Sequence, residues 1–151
     1  MNRKQIQTNL FKAMLNGSER VIMSEINEDE IAFTYDGYRL FVMDSQQMVV
    51  DLSKIRKVDA IGKGLEANEN DVEIKLVGAV KLDEKSLKPR ILEFKANKGD
   101  QELTVLLNAD LYSDFKDCTL KAYAPNERVL AYDMFGMLIG SIMPLRDCRQ
   151  H

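Results

Sequence analysis

The sequence predicts an α+β fold of two similar halves, each one helix plus three to four mostly antiparallel strands, in a single domain of residues 1–151. Three observations predict it. A segment with apolar residues at helical spacing opens the chain, and a shorter helical segment recurs after Asn108. Each is followed by short apolar runs, several of which alternate with a period of two. Gly, Pro, Asn and Asp punctuate those runs as turn residues do. The composition agrees: 45% hydrophobic residues supply a core, and a net charge of -3 lacks the strong imbalance of disordered chains. The same balance excludes a global basic field for nucleic acid.

The first half covers about residues 1–52. Over residues 3–16, Ile6, Leu10 and Met14 recur at helical spacing, with Phe11 and Leu15 widening the apolar stripe. Arg3, Lys4 and Lys12 are candidate contacts to DNA phosphates, with a solvated helix face as the alternative. Asn16-Gly17-Ser18 ends the helix. Strands are expected over Val21 to Ile26, Ile31 to Tyr35 and Tyr38 to Met43, with a fourth from Met48 to Leu52. Asp36-Gly37 between two apolar runs signals a hairpin.

Residues 53–70 read as a connection that can carry a short helix from Ser53 to Ile61. The second half, about residues 71–146, opens with three alternating runs: Val72-Ile74-Leu76, Leu92-Phe94-Ala96 and Leu103-Val105-Leu107. Asn108 is the expected N-cap of a short helix, 109–116, with Leu111, Tyr112 and Phe115 turned inward. Three strands close the half: Thr119 to Ala124, Arg128 to Met134 and Met137 to Leu145.

No catalytic constellation emerges. The single histidine is His151, and no Ser, Cys or carboxylate is paired in sequence with a positioned base. Cys118 reads as a small core residue, and with Cys148 it makes no metal-ligand spacing. Glu25, Glu28, Asp29 and Glu30 lack the ligand pattern of a calcium loop. Gly62-Lys63-Gly64 is too short for a phosphate loop. The expectation is therefore a non-enzymatic protein without metal or cofactor. The N-terminus lacks the apolar stretch of a signal peptide and no run reaches a membrane span, so a reduced, cytoplasmic setting is expected.

Two motifs carry a family resemblance. Asp36-Gly37-Tyr38-Arg39-Leu40 resembles the Asp-Gly-His-Arg-Leu turn of the bacterial DNA sliding clamp, and Ile142-Met143-Pro144-Leu145-Arg146 resembles that clamp's Met-Pro-Met-Arg ending. Val105 to Leu111 is similar to the strand leading into the last clamp helix. In that family both motifs line one pocket, which takes the short linear peptide of replication and repair proteins. The resemblance implies a DNA-clamp-like domain. It implies a peptide site built from Gly37, Tyr38, Arg39, Leu40, Ile142, Met143, Pro144, Leu145 and Arg146.

The chain also departs from the family. A clamp chain holds three such domains, and this one has room for one, so a ring requires a homo-oligomer. Family motifs on adjacent domains share a single domain here. The pocket then forms either within the domain or between subunits placed head to tail. Asp110, Asp114 and Asp117 oppose only Lys116 on the second helix, where clamps present cations to DNA. A small structural or regulatory α+β protein with clamp topology and no clamp function is the alternative.

Overall fold

The computed structural model describes residues 1–80 and 91–146. It shows an α+β fold in which a ten-stranded, mostly antiparallel sheet carries few helices. The opening helix α1 spans Arg3–Leu15, and the Asn2 side chain caps it by accepting the Gln5 N–H at 3.0 Å. Ile6 and Leu10 are fully buried, as their spacing requires. Phe11 and Leu15 are not part of the buried stripe; they are 50% and 70% exposed. Gln7 takes the inward place instead. Its amide donates to the Gln47 carbonyl and accepts the Val49 N–H, so a polar side chain is satisfied where an apolar one was expected.

Strands β1 (Ile22–Glu25), β2 (Glu30–Thr34) and β3 (Arg39–Asp44) form an antiparallel meander. Gly37 has φ +79° at the β2–β3 turn, a conformation that glycine adopts without steric cost. Asp36 fixes that turn by accepting the N–H groups of Tyr38 (2.8 Å) and Arg39 (3.0 Å).

The expected fourth strand, Met48 to Leu52, is absent. Met48, Val50 and Leu52 do pack on the core while Val49 is exposed, which accounts for the period-two pattern. Val49, however, gives its N–H to Gln7 rather than to a strand. The helix expected over Ser53 to Ile61 is likewise replaced. Arg56–Lys57 form a short strand, β4, parallel to β1, and a 3₁₀ segment follows at Asp59–Leu65.

The second half contributes β5 (Val72–Val80), β6 (Ile91–Lys98) and β7 (Gln101–Asn108). The alternation in β5 breaks at a bulge between Leu76 and Gly78, which leaves Leu76 half exposed. Asn108 caps the next helix as predicted, accepting the N–H groups of Asp110 and Leu111. That helix, α2, is only Ala109–Tyr112 and tightens into a 3₁₀ turn at Ser113–Phe115. Phe115 is fully buried, and Leu111 and Tyr112 pack on the core beside it. Strands β8 (Thr119–Ala122), β9 (Val129–Tyr132) and β10 (Leu138–Ile142) finish the fold.

The sheet order is β4-β1-β2-β3-β10-β9-β8-β5-β6-β7. The two helix-plus-three-strand units therefore meet through their last strands, β3 and β10, in mirrored order. One core cluster contains Ile6 and Leu10 of α1, Phe33, Phe41 and Phe115, so both helices pack on it. A smaller cluster of Ala32, Val42 and Leu65, joined by Leu40, Ile61 and Leu138, lies beneath the 3₁₀ segment. A buried ion pair holds the connection: Arg128 meets Asp71 at 2.9 Å and also donates to the Glu66 carbonyl. The Tyr123 ring lies 4.9 Å from its guanidinium.

Candidate functional site

The two sequence motifs lie side by side within one chain. Ile142 is opposite Arg39 and Ser141 is opposite Leu40 in the β3–β10 ladder. One residue further on, the Met143 N–H donates to the Tyr38 carbonyl at 2.8 Å. The chain then changes partners. Leu145 bridges antiparallel to Leu106 of β7, its N–H donating to the Leu106 carbonyl at 2.8 Å. Pro144 stands between the two contacts and has no N–H to satisfy, so the switch strands no donor. Through this bridge the far edge strand, β7, curls back to the chain just past β10.

Several residues expected to line a pocket are occupied in packing. Ile142 is fully buried in the core. Leu40 belongs to the smaller cluster. Arg39 is only 11% exposed at its side chain; its guanidinium pairs with Asp36 at 2.8 Å and with Asp114. Its charge also lies 5.4 Å from the Tyr35 ring and 5.3 Å from Phe41. Arg39 thus joins the β2–β3 turn to the segment after α2, and its charge is already neutralised by two carboxylates.

What remains at the surface is a compact apolar platform. Tyr38 is 51% exposed and Met143 45% exposed, with Gly37 and Arg146 exposed and Pro144 and Leu145 partly so. Arg20 joins it, its guanidinium 5.8 Å from the Tyr38 ring and within 3.5 Å of the Asp36 carbonyl. Nothing in the sequence marks Arg20, because its neighbour Tyr38 is brought to it by the β1–β2–β3 meander. Concavities of about 570 to 700 Å³ are lined by other residues.

The α1 cations Arg3, Lys4 and Lys12 are all exposed, and Arg3 borders the concavity at the other end of β3. The α2 segment exposes Asp110 and Asp117 beside Lys116. Cys118 is half-buried, and burial raises its thiol pKa above the ordinary 9.0, which disfavours the nucleophilic thiolate. His151 and Cys148 lie outside the described residues. No helix among the described residues is long and apolar enough to cross a membrane. Comparison with protein-family models, with curated proteins and with solved structures gave no match.

Proposed function

We propose that this protein is a non-enzymatic, sliding-clamp-like binding module that docks a short apolar peptide of a replication or repair partner on the Tyr38–Met143 platform. One observation carries the reading: the hydrogen bond from Met143 to Tyr38 sets both clamp-like motifs edge to edge in a single domain. The mirrored order of the two helix-plus-three-strand units around β3 and β10 supports the clamp-like architecture. Met suits a surface that accepts varied partners, because its side chain is flexible and polarizable. Arg146 and Arg20 border the platform as exposed cations able to meet a peptide carboxylate.

DNA encirclement gains no such support, since phosphates need cations and the α2 segment exposes more carboxylates than amines. The occupation of Arg39, Leu40 and Ile142 in packing favours a second reading, in which the motifs serve the fold alone and the protein is a small structural or regulatory one.

Titration calorimetry with a short peptide bearing adjacent Leu and Phe anchors separates the two. The first reading expects saturable binding that Tyr38→Ala and Met143→Ala each weaken about tenfold, as loss of roughly half a buried side chain implies. The thermal midpoint falls only slightly, because both residues are about half exposed. No heat of binding at peptide concentrations of about 0.5 mM leaves the second reading.

A further inference from the structure

The β3–β10 pair has a second end, remote along the strands from the Tyr38–Met143 platform. There, where β3 finishes and β10 begins, a concavity of about 610 Å³ has Val42, Met137 and Leu138 among its apolar lining. Glu28, Asp29, Glu30 and Asp44 also line it, and among the described residues Arg3 is the one cation that does.

Two independent features of this end point to an occupant. The first is electrostatic. Glu30 and Asp44 are direct cross-strand partners, and like charges so placed repel. Among the described residues neither is in an ion pair, nor are Glu28 and Asp29; the cations that pair do so with Asp36, Asp114, Glu25, Glu93, Glu102 and Asp71. Glu30 accepts a hydrogen bond from the Asn27 side chain (3.0 Å) and Asp44 one from the Gln46 N–H (2.8 Å), but both donors are neutral, so no ion pair among the described residues offsets the repulsion. Among the described residues no three such groups converge closely enough to hold a metal ion, so the spread of carboxylates suits several separated cations.

The second feature is the β9–β10 turn. Met134 is 83% exposed and Phe135 81% exposed, and Met137, which also lines the concavity, is 59% exposed. The tip is held in place. Asp133 Oδ1 accepts the N–H groups of Phe135 and Met137, both at 2.9 Å, and Gly136 turns the chain at φ +77°. A fixed apolar tip loses little conformational freedom on binding. Its exposure carries no benefit to the folded core, whereas beside a mixed hollow with Met137 and Leu138 in its lining it extends a contact surface.

We propose that this end docks a basic peptide segment carrying one large apolar side chain between Lys or Arg residues. The apolar side chain seats against Met137, Leu138 and Phe135. The flanking cations face Glu28, Asp29, Glu30 and Asp44 and relieve the Glu30–Asp44 repulsion. Charge complementarity selects this partner over an acidic or neutral one.

The test is calorimetry of the full chain with a synthetic peptide of Lys and Arg around one Phe. Controls replace the Phe by Ser, or every cation by Glu. The expected result is saturable binding to the first peptide that weakens at high salt. Binding should be about tenfold weaker without the Phe and undetectable with Glu. Phe135→Ser and Asp44→Asn, both at exposed positions, should each weaken the first peptide at least about fivefold. The proposal is overturned if the peptide without Phe binds equally well, or if both variants leave affinity unchanged. It is also overturned if light scattering shows a dimer that Phe135→Ser abolishes, since a second copy then covers the surface. Neither variant touches the Tyr38–Met143 platform, so the two binding readings fail separately.

Discussion

Arg39 and Asp114, 75 positions apart, form an ion pair that ties the start of β3 to the 3₁₀ turn after α2. Asp36 completes the arrangement from the other side of the guanidinium. The pair links the two halves of the chain at the point where their last strands meet. Asp36, held by Arg39, also accepts the Tyr38 N–H, so the geometry of that turn depends on the arrangement.

Removing one partner of a largely buried pair leaves the other charge unsatisfied. Arg39→Ala should therefore destabilise the protein by about 3 kcal/mol. Arg39→Lys should recover only part of this, because one ammonium cannot reproduce the fork that meets two carboxylates. Urea unfolding of Arg39→Ala, Asp114→Ala and the double variant gives the coupling. Additive losses would show that the pair contributes nothing by itself.

Gly140 marks the tightest contact of the β3–β10 pair. A Cβ placed there runs into the Leu40 carbonyl oxygen and lies 2.8 Å from the Phe115 ring. The carbonyl is backbone and the ring is fully buried, so neither yields without opening the seam. Gly140→Ala should cost about 3 kcal/mol. Gly64→Ala provides the contrast: its Cβ meets only the Leu40 Cδ1 at 2.8 Å, the end of a flexible side chain. It should cost about 1 kcal/mol. Equal shifts in the urea midpoint for the two would contradict the rigid-seam account.

Tyr35 predicts an alkaline limit to stability. Burial raises its pKa above the ordinary 10.0, opposed by the hydrogen bond from Asn9 and by the nearby Arg39 guanidinium. The folded state therefore holds the phenolic proton more firmly than the unfolded chain. Stability from this group is complete below pH about 10 and falls as pH rises through the folded value. Burial shifts Tyr112 and Tyr132 the same way, so the loss is shared. Tyr35→Phe should lower stability near neutral pH by about 1 kcal/mol through lost hydrogen bonding. It should also flatten the decline of thermal midpoint above pH about 10. An unchanged slope would exclude Tyr35 as a source of the decline.

Much of the local structure was legible in the sequence because it is set by neighbours along the chain. The α1 span, the Asp36-Gly37 turn, the Asn108 cap and the inward set Leu103, Val105 and Leu107 follow from spacing, side-chain capping and glycine's access to positive φ. The misreadings share one cause. At Met48 to Leu52 the alternation was real, but a strand needs a partner, and the Gln7 side chain took the Val49 N–H. At Phe11 the helical spacing fitted, yet the helix turned Gln7 inward because hydrogen-bond partners waited there.

The candidate site divides along the same line. By itself the sequence determined that Gly37 turns the Asp36–Leu40 segment and that Pro144 interrupts the Ile142–Arg146 segment. The tertiary structure decided that β3 and β10 are neighbours, which sets Tyr38 against Met143 and brings Arg20 beside them. It also decided that Arg39 is neutralised by Asp114 and that Ile142 is core. Local periodicity and turn chemistry act over a few residues, and the sequence displays them directly. Pairing between residues 75 positions apart, as in Arg39–Asp114, or 105 apart, as in Tyr38–Met143, is chosen by which apolar faces bury together and which donors find acceptors, and that choice belongs to the whole chain at once.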